Sequence, residues 1–523
     1  MSTFYVNGRI YTQHPNRPLA EAMVVAGGRI RWVGASADVG ANAEWERVDL
    51  AGATVIPGLR DAHTHLLAYA LLKQQVDLRD THSEAEAVRR VADYAARHPE
   101  RPWIRGHGWN EHLWAEGKKP SRASLDQAIP DRPVVLSRID GHVVWVNSRA
   151  LELAGVTDET PDPPGGHLER DAHGRLTGLL RETARKLVYR HIPPPSLQER
   201  VAALRAVQGE AHTLGLVEVH VIEGAEALEA LQVLHAAGEL SLRVLFLPPI
   251  SLLDHLRAAG VRAGLGDERL RLGQLKLFAD GTLGSRTAWM LAPFEGEPEN
   301  RGLPTYPPDE LRRLVREAHE AGWPCAIHAI GDAANRAALD ALEAAPACES
   351  PLPDRIEHVQ VIHPDDMPRL AAQGVVASMQ PIHMASDWRL AELFWGARAR
   401  WSYAWRSLRR LGTVLAFGSD VPVEPLNPWP ALAVAISRRD LEGAPEGGWH
   451  PDETLTLAEA LEGFTVGTAR AAGRKRAGRL VVGAPADFLV LDRDPFELRP
   501  EELARVRPRA TIVGGEVVSG EVQ

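Results

Sequence analysis

The middle of the chain alternates short apolar runs with longer stretches of helical periodicity. Eight apolar runs are predicted strands, and they lie at 59–65, 216–222, 242–248, 272–280, 324–328, 354–360, 375–380 and 413–420. Between most of them apolar residues recur with a helical period, as at 308–321 and 333–345. Strands that alternate with helices form parallel βαβ units, and about eight such units close a barrel. The pattern therefore predicts an α/β fold, a (β/α)₈ TIM barrel.

Both ends of the chain instead show short strand-like runs broken by glycine. Asn7-Gly8, Gly27-Gly28 and Gly52 each separate two apolar runs, which predicts a β-hairpin at each place. Runs at 480–491 and 510–518 repeat this pattern near the C-terminus. We therefore expect a small β-sandwich domain built from both termini. The predicted domain bounds are residues 1–57 and 473–523 for the sandwich and 58–472 for the barrel.

The alternation of strands and helices stops at about residues 80–200. This stretch contains a tryptophan-rich patch (Trp103, Trp109 and Trp114), a strand-like run at 133–146 and a Pro/Gly turn at 161–166. It is predicted to be an insertion after the first barrel strand, covering the mouth of the barrel.

Composition narrows the class of protein further. Hydrophobic residues make up 45% of the 523 residues, which is typical of a globular protein, and the net charge of -10 offers no attraction to nucleic acid or anionic membrane. No run reaches the roughly 18 apolar residues of a membrane-spanning helix, and the N-terminus lacks the pattern of a signal peptide. Two cysteines give no disulfide framework. We expect a cytoplasmic protein with a small-molecule partner, and a homo-dimer is one assembly that the sheet domain could form.

Candidate metal ligands stand at the ends of several predicted strands. His63 and His65 are two residues apart and therefore project from the same face, and imidazole is a common ligand of zinc. His328, His358 and Asp420 end three other predicted strands. A polar residue at one strand end is ordinary, but four strands that all end in ligand types favour a metal site. The carboxyl ends of barrel strands form the active-site face of such folds.

Lys276 is unusual because it lies inside an apolar predicted strand. By alternation it shares a face with Asp280, so it could form an ion pair with Asp280 or with Asp420. The alternative is a lysine beside the metals that is chemically modified or has a lowered pKa.

The ordered set His63-x-His65, Lys276, His328, His358 and Asp420 resembles the metal-dependent amidohydrolase superfamily. The segments at 140–148, 178–182, 280–288 and 328–332 resemble its amidohydrolase-3 branch, which includes N-substituted formamide deformylase-like proteins, and 478–490 resembles its closing sheet segment. Where that segment commonly has Gly-Lys, this chain has Ala484-Pro485.

The resemblance implies one or two divalent metals, often zinc, held by these residues. His63 and His65 would bind the more buried metal, and His328 and His358 would bind the second. Lys276, carboxylated on its amine, would bridge the two metals. Asp420 would be a ligand and the general base.

The implied reaction is hydrolysis of a carbon–nitrogen bond other than a peptide bond, such as an N-acyl or N-formyl amide. A divalent cation lowers the pKa of its water to about 7, so metal-bound hydroxide can attack at neutral pH. Asp420 would take the proton and return it to the leaving nitrogen. Two alternatives remain open: hydrolysis of an ester, lactone or phosphoester at the same centre, and a catalytically silent barrel that serves as a binding protein.

Candidates for substrate binding depend on weaker signals. Arg286 could bind a substrate carboxylate or pair with Asp280. The other three candidates are Trp109 and His142 in the insertion and Gln380 after the seventh strand. His383, His220 and Glu182 could also line the barrel mouth.

Overall fold

Nine parallel strand segments form the barrel. The computed structural model describes residues 2–38, 45–115 and 117–522. In chain order the barrel strands are β1 (Leu59–Thr64), β2 (Leu216–Ile222), β3 (Arg243–Leu247), β4 (Leu275–Phe278), β5 (Cys325–Ala329), β6 (Arg355–His358), β7 (Val376–Met379) and β8 (Leu415–Phe417), with a further short segment, Leu270–Leu272, just before β4. All eight predicted strands coincide with these segments.

Closure of the barrel follows from the strand pairing. β1, β2, β3 and Leu270–Leu272 form one parallel sheet, and β4 to β8 form a second one in sequence order. Two isolated parallel bridges, Pro249 to Lys276 and Thr64 to Val421, connect the two sheets. Every residue of β2 and β5 is buried, as expected for strands that are covered on both faces.

Helices follow most of the strands, as in βαβ units. Those of at least ten residues are Leu197–Thr213, Ala225–Ala236, Pro308–Glu320, Asp332–Ala344, Pro381–Trp395 and Pro428–Ser437. Shorter helices are Leu66–Lys73, Leu253–Ala258, Met367–Ala372, Trp405–Arg410, Leu457–Glu462, Thr468–Ala471 and Pro500–Leu503, with a π-helical turn at Gly463–Gly467. No helix in the described residues is long and apolar enough to cross a membrane.

Residues from both ends of the chain form two further sheets. One contains Ser2–Val6, Ala22–Ala26, Arg29–Gly34 and Glu46–Asp49; the other contains Arg9–Tyr11, Leu19–Ala20, Thr54–Pro57, Phe488–Leu491, Ala510–Val513 and Glu516–Gly520. Side chains of both sheets, such as Tyr5, Val25, Phe488 and Ile512, belong to one buried cluster.

Two of the three hairpins predicted for the N-terminal segment are wrong. The hairpin at Gly27-Gly28 is present, with Ala22–Ala26 antiparallel to Arg29–Gly34. The strands on either side of Asn7-Gly8 belong to different sheets, and so do those on either side of Gly52. At these two places the chain crosses from one sheet to the other instead of folding back on itself.

Residues Ala68–Ala203 form a separate compact unit, while Met1–Leu67 and Leu204–Gln523 form the other. The smaller unit has a mixed sheet made of Gly166–Arg170, Leu176–Glu182, Val143–Val146, Val134–Arg138, Ile104–Trp109 and Val76–Asp77. Its helices are Glu84–Arg97, Arg122–Ala128, Ser148–Leu153 and Lys186–Tyr189. Trp109, Trp114 and Trp145 contribute to its hydrophobic core.

Candidate active site

The side chains of the predicted ligand set converge at the carboxyl ends of the barrel strands. His63 lies in β1 and His65 directly follows it, while Lys276, His328 and His358 lie in β4, β5 and β6. Asp420 follows β8. These six side chains line one cavity of about 390 Å³.

His63 and His65 present the same ring nitrogen to the cavity. The Nδ1 atom of His65 lies 2.7 Å from the Ile222 carbonyl oxygen, and Nδ1 of His63 lies 2.7 Å from Oε2 of Glu357. Carbonyl and carboxylate oxygens only accept, so each Nδ1 carries a proton, and in the neutral imidazole each Nε2 then has a free lone pair. These Nε2 atoms lie 3.4 Å (His63) and 3.2 Å (His65) from Oδ1 of Asp420.

Hydrogen bonds favour opposite tautomers of His358 and His328. Nδ1 of His358 lies 2.8 Å from Oε1 of Gln380, which leaves Nε2 free. Nε2 of His328 lies 3.0 Å from the Gly281 carbonyl oxygen, which leaves Nδ1 free. Burial lowers the pKa of both imidazoles, to about 3 for His328, so both are neutral at pH 7. Neutral imidazole is the form that ligates metals.

Asp420 lies between the histidines of β1 and His383. Its Oδ2 atom is 3.7 Å from Nε2 of His383, and its buried Oδ1 atom has no hydrogen-bond partner among the described residues. Burial on its own would raise the pKa of Asp420, but the neighbouring rings of His63 and His65 hold that pKa well below its usual range. The carboxylate is therefore ionised at neutral pH.

Lys276 forms neither of the ion pairs considered for it. Its amine is buried, has no hydrogen-bond partner in the described part of the chain and lies 4.8 Å from the centre of the Phe278 ring. Both oxygens of Asp280 accept backbone N–H groups, from Ile330, Gly331 and Trp289. Burial lowers the pKa of the Lys276 amine to about 8.

Glu357 and Arg355, on β6, are functional candidates that the sequence pattern did not single out. The Arg355 guanidinium donates to Glu357 over 3.0 Å and also bonds Nδ1 of His220 over 2.9 Å. All three side chains are fully buried. Arg355 and Glu357 are two residues apart on one strand, so alternation could have placed them on the same face as each other. The contact of Glu357 with His63 joins positions almost 300 residues apart, and no local signal indicates it.

The predicted substrate-binding residues lie in varied environments. Gln380 is buried against His358, and Arg286 pairs with Glu297 and stacks on Phe394. Trp109 is buried in the core of the smaller unit and donates its indole N–H to the Leu136 carbonyl. His142 is exposed and pairs with Glu182 at 3.0 Å. None of these four lines the 390 Å³ cavity formed by described residues, and their role in binding stays a prediction.

The profile of a known protein family spans this whole arrangement. The profile of the Amidohydro_3 amidohydrolase family matches residues 46–519, which include every barrel strand and all six predicted ligands. The chain belongs to the amidohydrolase family. It is accordingly an enzyme, a metal-dependent hydrolase acting on carbon–nitrogen bonds, and the alternative of a catalytically silent barrel is set aside.

Individual relatives of this amidohydrolase match over nearly their whole length. It is 31% identical over 99% of both chains to "Putative amidohydrolase YtcJ" of Bacillus subtilis. It is 29% identical to "N-substituted formamide deformylase" of Arthrobacter pascens, over 98% of this chain and 97% of the other. A crystal structure described as an uncharacterized metal-dependent hydrolase from Pyrococcus horikoshii superposes with a TM-score of 0.81 at 29% identity, covering 96% of this chain and 99% of the other. The barrel fold is confirmed by this likeness.

Proposed function

We propose that this amidohydrolase hydrolyses a non-peptide amide, such as an N-acyl or N-formyl amine, with His63, His65, His328, His358, Lys276 and Asp420 as its metal ligands. The observation that carries the proposal is the set of unprotonated ring nitrogens around Asp420. In the neutral imidazoles three Nε2 atoms and one Nδ1 atom lack a proton, and one carboxylate oxygen in the same cavity is buried without a hydrogen-bond partner among the described residues. Such donors fit one or two divalent ions, and zinc is the ion we expect for imidazole and carboxylate ligands.

A divalent ion held there would supply Lewis acidity and a water of lowered pKa. The protein residues would transfer the proton and orient the ligands. Asp420, ionised at neutral pH, would take the proton of the attacking water and return it to the leaving nitrogen. Glu357, Ile222 and Gln380 would hold the imidazoles in the ligand tautomer.

We further propose that Lys276 is carboxylated and joins two metal ions. Its amine is buried in the cavity, has no hydrogen-bond partner among the described residues, and has a pKa lowered by burial to about 8. A lowered pKa raises the neutral fraction of the amine, which is the nucleophilic form that reacts with carbon dioxide. The small terminal β-sandwich, a cytoplasmic location and a homo-dimer stay predictions.

Elemental analysis of zinc-loaded protein tests the ligand set. We expect about two zinc ions per chain in the wild type, fewer in Lys276→Ala, and loss of both zinc and turnover in His63→Ala. The exposed His173 provides the matched control, and His173→Ala should keep its zinc and its activity. Wild-type zinc content and turnover in His63→Ala would refute the assignment. One ion per chain, unchanged in Lys276→Ala, would refute the bridging lysine alone.

The substrate class is tested with N-substituted formamides and N-acyl amines, each paired with the ester of the same acyl group. We expect release of the amine to have the higher kcat/KM. Faster hydrolysis of every ester than of its matched amide would favour the ester alternative.

A further inference from the structure

One wall of the candidate active-site cavity is acidic. Ser386 and Asp387 lie on the helix Pro381–Trp395, which follows β7, and Glu424 lies in the segment after β8. All three line the cavity that contains the histidines. We call these three residues the acidic wall.

Asp387 is held in place by two donors on the same carboxylate oxygen. The Gln360 amide donates to Oδ2 over 2.6 Å, and the Tyr403 hydroxyl donates to it over 3.0 Å. Tyr403 is 2% exposed, so this donor is fixed by the surrounding core. These two hydrogen bonds fix the position of the Asp387 carboxyl group at the cavity wall.

Glu424 adds a second carboxylate to the same wall. It accepts a hydrogen bond from the Ser386 hydroxyl, and no lysine or arginine of the described chain pairs with it or with Asp387. Burial raises the pKa of Glu424. The Ser386 hydroxyl and the His383 ring oppose this rise, and the carboxylates of Asp387 and Asp420 add to it. A cation bound between the two side chains would relieve this repulsion.

The rest of the cavity indicates how a ligand would be oriented. Lys276 is the one lysine or arginine among the described lining residues. The residue is 3% exposed, and its buried amine has no hydrogen-bond partner in the described part of the chain. The lining also includes the apolar side chains of Phe278, Leu283 and Val423. Cationic and ligating groups therefore lie at the strand ends, and the lining also offers apolar surface and two carboxylates.

We propose that this site selects amides whose leaving amine carries a second, protonated amino group, that is, mono-N-acylated alkyl diamines. The inference rests on the proposed function. The acyl carbonyl lies at the strand ends, the alkyl chain contacts the apolar lining, and the ammonium binds Asp387 and Glu424. In the reaction, water gives its hydroxyl to the acyl carbon and a proton to the nitrogen as the C–N bond breaks. The products are a carboxylic acid and a free diamine.

The test uses three acetamides that share one amide and one four-carbon chain but differ in terminal charge: N-acetyl-diaminobutane, N-butylacetamide and N-acetyl-aminobutanoate. We expect kcat/KM to be highest for the cationic amide and lowest for the anionic one, by about tenfold or more at low salt. The ratio of kcat/KM for the cationic amide to that for the anionic amide should fall as ionic strength rises, because salt screens the charges of the acidic wall. It should also fall about tenfold in Glu424→Gln. Glu446→Gln, which changes an exposed carboxylate outside the cavity, should leave the ratio unchanged.

Calorimetry with diaminobutane and with butanoate separates this inference from the reaction itself. Diaminobutane should bind the zinc-loaded wild type and bind Asp387→Asn and Glu424→Gln more weakly. Turnover with an equal or reversed charge preference would overturn the inference and leave the amide hydrolase standing. Diamine binding that weakens in both variants, with none of the amides hydrolysed, would support the acidic wall and overturn the proposed reaction. Absence of both binding and turnover would overturn both proposals.

Discussion

His358 takes a left-handed backbone conformation, with φ of 73°, where β6 ends. Side chains alternate between faces along a strand, so Glu357 and His358 would otherwise point in opposite directions. The change in φ brings both next to His63: Glu357 bonds its Nδ1 atom, and the ring centres of His358 and His63 lie 4.9 Å apart. Asp420 also has a positive φ, of 61°. Each such residue costs about 1–3 kcal/mol, which the surrounding barrel must offset.

Loss of the carboxylate that orients His63 should weaken metal binding. In Glu357→Gln the amide cannot reproduce the charge that holds the Nδ1 proton, so zinc affinity should fall about 10–100-fold in competition with a chelator. Glu453→Gln is the matched control, because Glu453 is also buried but bonds Ser407 and does not line the cavity. Both variants should unfold at a lower temperature, and the prediction fails if folded Glu357→Gln binds zinc as the wild type does.

Single residues differ in how far the sequence predicts them. His63, His65 and Asp420 end apolar runs, so their meeting at one cavity could be predicted from strand alternation and the barrel rule. Asp387 and Glu424 could not, because one lies within a helix and the other in a loop with no period. The Lys276–Asp280 pair is absent because the Asp280 oxygens accept N–H groups from distant loops.

The π-helical turn Gly463–Gly467 packs directly against β8. A Cβ atom on Gly467 would lie 1.8 Å from the Leu415 carbonyl oxygen, and one on Gly463 would lie 2.4 Å from the Phe417 ring. Glycine here permits a close approach of helix to strand. The position of β8, and with it the start of the segment that carries Asp420, therefore depends on these two glycines.

Gly467→Ala should destabilise the protein by about 1–3 kcal/mol or more, because the added methyl group must displace the strand backbone. The control is Gly209→Ala in the helix Leu197–Thr213, where the added Cβ meets nothing within 4 Å. That substitution should raise stability by about 0.5–1 kcal/mol, since alanine favours helix. Thermal midpoints that shift in the same direction for both variants would contradict the close approach.

Whole elements were predicted better than their connections. All eight barrel strands follow from buried apolar runs, because a strand covered on both faces has a strong hydrophobic signal. The hairpins at Asn7-Gly8 and Gly52 fail because the same turn residues also serve a crossing between two sheets. Sequence shows that the chain turns there, but which strand pairs with which is decided by distant partners such as Phe488–Leu491.

Across the larger unit, a buried group of charges ties the C-terminal segment to the barrel. Asp487 lies 2.9 Å from Arg60 of β1 and 2.9 Å from Arg243 of β3, and all three are at most 4% exposed. Arg60 also pairs with Glu218 of β2. Removing one member of such a buried group is costly, because the remaining charges are left buried without their partners.

Asp487→Asn should lower the unfolding free energy by about 3–5 kcal/mol, because it leaves buried guanidinium groups without full compensation. The exposed Asp452 serves as control, and Asp452→Asn should change stability by less than about 0.5 kcal/mol. The measurement is the thermal unfolding midpoint of both variants at neutral pH. Equal midpoints would contradict a stabilising role of Asp487.

The contribution of Asp487 should also depend on pH in a defined direction. Burial alone would raise the pKa of Asp487, but Arg243 and Arg60 hold it below its usual range. A carboxyl group with a lowered folded pKa stabilises fully above its unfolded pKa of about 3.9 and loses this effect as the pH falls through the folded value. The gap between wild type and Asp487→Asn should therefore be constant from about pH 7 to 5 and shrink below about pH 4.

The interleaving of the chain ends has a consequence for synthesis on the ribosome. Thr54–Pro57 leads directly into β1, yet its antiparallel neighbour is Phe488–Leu491. One edge of the strand Thr54–Pro57 therefore stays unpaired until more than four hundred further residues have been translated. Exposed strand edges invite pairing with other chains. We therefore expect the nascent chain to need chaperones most before its last segment leaves the ribosome, since they would prevent pairing of this edge with other chains.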